Sequence, residues 1–329
     1  MKVTENEIRP KEIFDEYLRL ATIDTETYFR HSRRELISCP SCKSPGNQLF
    51  NKAGFDYQEC PECKTIFVNP RPVKEAFDAY YTDSPSTKYW ASTFYKVTET
   101  ARREKLWKPK AKFIKDKLQV YGAKDLFKYI VDIGGGYGVF DEEIMLLMNV
   151  KPIVIEPSIH LAKICRDKEF IVIEKFMEDV TFNELPEGRK CFVSFELFEH
   201  LFDPTQFLQT VYNVMNSNDI FLFTTLSSMG IDIQVLGQNS KSISPPHHLN
   251  FFNPKSISRL LESIGFHVLE VSTPGKLDID ILKNNKNHVY EPSWKNILEY
   301  SNEEELAHLQ DVIASCGLSS HMMIICVKH

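Results

Sequence analysis

The sequence predicts an α/β fold, with a doubly wound, mostly parallel seven-stranded sheet behind a small metal-binding ribbon and a helical cap. Three observations predict it. From residue 129 onward, apolar strand-like runs alternate with helix-patterned segments, which implies a parallel sheet wound on both faces. The first of these runs, Val131 to Ile133, ends in a glycine cluster that opens a helix. Upstream, two Cys-x-x-Cys pairs stand seventeen residues apart.

Along the chain, Ile13, Phe14, Tyr17, Leu18 and Ala21 fall on one helical face, with Pro10 near its start. The cysteine segment follows and closes with the stiff run Asn69-Pro70-Arg71-Pro72. From there to about Leu118 the pattern is helical and rich in aromatics, broken by a loop signal at Asp83-Ser84-Pro85-Ser86, so some of these rings are candidates to line a site. Strands are expected at 129–133, 153–156, 170–173, 192–195, 220–225 and 266–271, with a last one at 321–328 that can insert antiparallel. Asp203 as N-cap and Pro204 at the first helical position begin one helix, and Asn253-Pro254 begins another that Gly265 ends. Ser301 and Glu304 read as a capping box. The expected division is 1–37 helical segment, 38–72 ribbon, 73–125 helical cap and linker, and 126–329 cofactor-binding domain.

Cys39, Cys42, Cys60 and Cys63 have the spacing of a four-cysteine zinc site. Zinc takes four thiolates in a tetrahedron, and each pair supplies two from one tight turn. A filled shell makes the metal structural. The other cysteines, Cys165, Cys191, Cys316 and Cys326, lie in apolar runs and read as small core residues.

The glycines at 134, 136 and 138 differ from the dinucleotide pattern G-x-G-x-x-G, whose third glycine would fall at Val139. Glu156 ends the next strand twenty-two residues past Gly134, where a carboxylate can hold ribose hydroxyls. A glycine turn that need not cradle a pyrophosphate suits S-adenosylmethionine, so Gly134, Gly135, Gly136 and Glu156 are candidate cofactor residues.

The net charge is −6, which argues against a broad nucleic-acid surface. Against that trend, eight Lys or Arg and two acids lie between Arg102 and Lys117, either a solvated helix face or a cationic rim for a phosphorylated substrate. No run approaches the ~18 apolar residues that span a bilayer. The start lacks a basic-then-apolar leader, and a cytoplasmic protein is expected.

Together, the ribbon ending in FVNPRP, the ARREKLWKP stretch, VDIGGGYG, ELFEHLFDP and PPHHLNFFNPKSISRLLESIGF resemble the class I S-adenosylmethionine-dependent methyltransferases. More narrowly, they are similar to bacterial members with an N-terminal zinc ribbon, often assigned to polysaccharide, nucleotide-sugar or natural-product pathways. The resemblance implies a small-molecule acceptor such as a sugar hydroxyl. C- or N-methylation, or an RNA or protein acceptor read by the ribbon, are the alternatives. In many relatives an Asp after the third strand contacts the adenine amino group. Here Phe176 sits near that place, which leaves adenine to the backbone at Met177.

Ligands of open parallel sheets bind beyond the carboxyl ends of the strands. Phe195, which with Phe176 and Met177 is a candidate cofactor residue, ends the fourth strand, so 196–200 lies at that edge. His200 is the first candidate base, with Glu199 to orient it or stabilise its charge. His248, in the proline-stiffened run Pro245-Pro246-His247-His248 after the fifth strand, is the second.

Overall fold

The computed structural model describes residues 4–121 and 127–329, so the last residues of the expected cap, 122–125, and the first of the expected cofactor domain, 126, lie outside it. The chain divides into two compact units. One contains Ala101–Thr225, Ser258–Val271 and Met323–His329. The other contains Met1–Thr100, Leu226–Ile257 and Ser272–Met322. Two stretches that chain order assigned to the cofactor domain, 226–257 and 272–322, thus belong with the N-terminal segments.

The strands, in chain order, are β1 (Arg34–Glu35), β2 (Asn47–Lys52), β3 (Phe55–Glu59), β4 (Ile66–Val68), β5 (Arg71–Pro72), β6 (Tyr129–Ile133), β7 (Lys151–Ile155), β8 (Ile171–Ile173), β9 (Lys190–Ser194), β10 (Ile220–Leu226), β11 (Asn250–Phe251), β12 (His267–Ser272) and β13 (His321–Val327). The seven-stranded sheet runs β12-β13-β10-β9-β6-β7-β8. Its centre is parallel, with Val131 opposite Ile153 of β7 and Phe192 of β9, and Ile220 opposite Cys191. Chain order reverses direction between β6 and β9, and such a switch opens a crevice at the strands' carboxyl ends.

Both faces of the sheet's central strands are covered, so β6, β9, β10 and β13 are almost entirely buried and mostly apolar rather than alternating, while the edge strands β8 and β12 stay partly exposed. Ala111, Ile114 and Leu118, on one stripe of helix Lys108–Tyr121, pack against Ile130, Val193, Leu222 and Ile325. Asp203 caps helix Pro204–Val214 by accepting from Thr205 and Gln206 N–H, as its sequence predicts. The capping box of helix Glu303–Ser315 is displaced by one residue from expectation. Asn302 accepts from Glu304 and Glu305 N–H while Glu305 accepts from Asn302 N–H, so the amide of Asn302 takes the place assigned to Ser301. Cys165, Cys191 and Cys326 are buried as expected, but Cys316 is exposed because it caps that helix's C-terminus.

In the other unit, a four-stranded sheet of order β11-β4-β3-β2 carries the ribbon, and β1 pairs with β5. Helix Lys11–Asp24 buries Phe14, Tyr17 and Ala21, three of the five residues of the expected face. Among the described residues no helix is long and apolar enough to cross a membrane.

Candidate functional site

The two cysteine knuckles repeat one local geometry. In the first, Cys39 N–H donates to Ser44 O and Lys43 N–H to Cys39 O; in the second, Cys60 N–H donates to Thr65 O and Lys64 N–H to Cys60 O, all at 2.9 Å. Lys43 and Lys64 both turn left-handed, with φ of 64° and 61°. A lysine is held there at a cost of about 1–2 kcal/mol, so the knuckle outweighs the residue's own preference. Cys39 and Cys63 sulfurs lie 3.5 Å apart, and Cys42 and Cys60 3.3 Å. That is too long for a disulfide bond of about 2.05 Å. It is near the edge of a tetrahedron with metal–sulfur bonds of about 2.3 Å. All four sulfurs lie within 4.8 Å of one another. Burial opposes ionisation at Cys42, but donors from Ser44 bring its thiol down to about 6. The donor set fits zinc, with no position left for a reacting ligand.

In the sheet unit the glycine turn closes β6 against its neighbours. Gly134 N–H donates to Ile155 O at 2.8 Å, and Ser194 Oγ donates to Ile133 O at 3.2 Å. Gly134 and Gly136 have φ of 75° and 57°, conformations that a side chain resists. A Cβ on Gly134 would also approach Leu197, beyond the end of β9, at 3.1 Å. A Cβ on Gly136 would meet nothing within 4 Å, so the constraint there is the backbone and the surface above it is open.

Glu156, buried at the end of β7, accepts from Gly136 N–H at 3.1 Å and Ser158 N–H at 2.9 Å. Burial nevertheless raises its pKa above the usual carboxylate value. The two donors fix the carboxylate, and each oxygen keeps lone-pair capacity for a ribose hydroxyl. The turn and Glu156 therefore fit the cofactor that the sequence implies. Met177 is buried in the short turn after β8, and Phe176 is half exposed beside it. Phe195 is buried in the core, with its ring 4.7 Å from Phe140 and 5.9 Å from Trp107.

Beyond β9 the chain passes through Glu196, a non-glycine residue at φ 54°. Its carboxylate accepts from Thr224 Oγ1 at 3.2 Å and lies 3.7 Å from Lys110 Nζ, whose ammonium stands over the Trp107 and Phe195 rings. Glu199 and His200 follow on a single 3-10 turn and present their polar atoms to each other within 4.8 Å. Burial, and then the charge of Glu196, push the Glu199 carboxyl up to about 8, although Thr225 Oγ1 donates to it at 3.0 Å. Burial lowers His200 to about 4. Near neutral pH this is a neutral acid beside a neutral imidazole, so Glu199 does not carry the negative charge that would stabilise a protonated His200.

His248 lies in the other unit, where its Nδ1–H donates to Ser242 O at 2.6 Å; that tautomer makes Nε2 the proton-accepting nitrogen. The adjacent His247 is buried, with its Nε2 2.5 Å from Tyr80 OH and 3.1 Å from Tyr17 OH, so several of the aromatics from the N-terminal segment enclose a histidine. At least four of the eight cations of the 102–117 stretch form ion pairs within the chain. Arg103 pairs with Glu142 and Glu143, Lys108 with Glu104, Lys110 with Glu196 and Lys117 with Glu270.

Sequence reading passed over two residues at this site. Asp132 interrupts the apolar run of β6, and Asp141 stands in the first turn of helix Val139–Leu147; both are buried. The available signal was an acid inside a strand otherwise made of apolar residues.

Residues 102–271 match the family model described as a methyltransferase domain. The chain belongs to that family, and its fold is that of the class I S-adenosylmethionine-dependent methyltransferases. Similar solved structures include an S-adenosylmethionine-dependent methyltransferase from Archaeoglobus fulgidus, 18% identical over 66% of this chain and 94% of that one, with a TM-score of 0.44. A Thermotoga maritima methyltransferase described as a possible histamine N-methyltransferase is 18% identical over 71% and 96%, with a TM-score of 0.43. Human N-acetylserotonin methyltransferase in complex with S-adenosylmethionine is 15% identical over 78% and 60%, with a TM-score of 0.47. No curated protein matches the chain.

Proposed function

We propose that this methyltransferase binds S-adenosylmethionine on the glycine turn and Glu156, and transfers its methyl group to a hydroxyl of a small molecule, a sugar or nucleotide-sugar. The observation that carries the cofactor reading is Glu156, held by Gly136 and Ser158 N–H at the end of β7. Transfer from a sulfonium is an in-line displacement, so the protein must align the acceptor and accept its proton. His200 is the base of this reading because of its place beyond the fourth strand; its imidazole is neutral across the physiological range, although the burial that keeps it neutral also weakens it as a proton acceptor. His248, with its Nδ1–H committed to Ser242, is the competing base.

The acceptor class rests on the resemblance to ribbon-bearing relatives from sugar and natural-product pathways. The net charge of −6 supports a small acceptor over RNA. A zinc ion on Cys39, Cys42, Cys60 and Cys63 belongs to the same reading, as a structural element. The test is to incubate the purified protein with labelled S-adenosylmethionine and a panel of nucleotide-sugars, free sugars, tRNA and peptides. Label transferred to a sugar oxygen supports the proposal; transfer only to RNA or peptide, or to carbon or nitrogen, replaces it.

A further inference from the structure

Asp132 and Asp141 form a buried acid pair directly beneath the glycine turn. Asp132 is 2% exposed and Asp141 is fully buried. The turn rests on the first of them, since a Cβ on Gly135 would meet Asp132 Oδ2 at 3.1 Å and Val154 Cγ1 at 2.9 Å. Neither Asp141 oxygen has a partner in full hydrogen-bonding geometry among the described residues, and the donor groups beside them are Asp141's own backbone N–H and the Asp132 carboxyl. Its hydrogen-bonding neighbour is the Asp132 carboxyl, which donates only when protonated. Two ionised carboxylates in mutual contact, away from water, repel each other strongly, and one proton between them removes the repulsion.

The surroundings do not supply enough positive charge to ionise both. Glu156 from the end of β7 and Glu142 from the same helix as Asp141 add negative charge, and the buried Cys165 thiol is uncharged. Lys110 and Lys168 oppose them, but Lys110 also faces Glu196, and Lys168 is 3.0 Å from Glu142, which Arg103 shares. Burial comes first in raising both acids, Asp132 well above its usual value and Asp141 to about 7.

S-adenosylmethionine carries a sulfonium as well as an ammonium, whereas its product S-adenosylhomocysteine has a neutral thioether. Resting on the cofactor reading above, we propose that Asp132 and Asp141 share one proton that leaves when the cationic methyl donor binds and stays when the product binds. The pair then separates donor from product by charge. The proton passes to solvent, and the sulfonium takes over its neutralising role. Donor affinity must therefore rise with pH, by at most about tenfold per pH unit while the pair still holds its proton, and product affinity must not.

Calorimetry in buffers of different ionisation enthalpy tests this without any acceptor. For the wild-type protein near pH 7, the heat of S-adenosylmethionine binding should vary with the buffer, reporting a fraction of a proton released, and that of S-adenosylhomocysteine should vary much less. D141N should abolish the difference. Equal proton release for both ligands, or none for either, overturns the proposal with the wild-type protein alone, so it stands or falls even if D141N does not fold. Failure of both ligands to bind overturns instead the cofactor reading on which it rests. A folded D141N that still releases the wild-type amount assigns the proton to another group and also overturns it.

Discussion

The N–H of Gly136 points at Glu156 Oε2 across 3.1 Å, so the turn after β6 and the acid after β7 are held to each other before any ligand arrives. A site built in this way loses little order on binding, which is the advantage of preorganisation.

Removing that carboxylate removes the anchor of the turn and, on the proposed reading, the acceptor for the ribose. A lost charge-assisted hydrogen-bond pair costs on the order of 1.5–3 kcal/mol. Glu156→Ala is therefore expected to weaken S-adenosylmethionine binding by roughly ten- to a hundredfold. Calorimetry on the folded variant checks this, and unchanged affinity would take Glu156 out of the cofactor site.

The purified protein should contain about one zinc per chain, and a strong chelator should unfold the ribbon, because binding and local folding are one process in such sites. The sheet unit should persist, since its core cluster around Ile130, Val193 and Leu222 contains none of the four ribbon cysteines. Metal analysis together with circular dichroism before and after chelation measures both. Loss of the sheet unit along with the ribbon would contradict the separation.

His200→Ala should lower turnover by about 10²–10⁴, the usual scale for loss of a general base, with cofactor affinity nearly unchanged. Because burial lowers His200 to about 4, its imidazole is already neutral at pH 6. The pH–rate profile should thus show no histidine limb near 6.5, and any such limb would point to a different base. His248→Ala is the paired variant, and the larger loss of turnover identifies which of the two takes the proton.

Glu199 makes stability depend on pH. Its folded pKa, about 8, is above the unfolded carboxylate value, so the folded state binds the extra proton. Its contribution is complete below the unfolded pKa and is lost as pH rises through about 8. Glu199→Gln keeps the neutral shape, so its thermal midpoint should match wild type at pH 4 and exceed it increasingly toward pH 8. A constant gap across that range would mean that Glu199 is ionised in the folded protein.

Residues that act through their neighbours in sequence were legible without a structure. The two cysteine knuckles, the glycine turn, Glu156 at a strand end, and the cap at Asp203 each depend on a few consecutive side chains and the backbone they force. The period of the apolar residues likewise set the seven strands within a residue or two. Ser301 was passed over for Asn302 because both residues suit the same cap and neighbouring registers compete closely.

What chain order could not convey is which distant segments join, and what their burial does to charge. Stretches 226–257 and 272–322 leave the sheet unit for the other unit, a matter of long-range packing that no local pattern encodes. The same holds for the acids. By itself the sequence determined that a glycine turn and a carboxylate would meet at the end of a parallel strand, because strand, turn and helix follow one another directly. Only the tertiary structure decided that Asp132 and Asp141 meet beneath that turn and that Glu199 and His200 are neutral there, because desolvation depends on everything packed around a group.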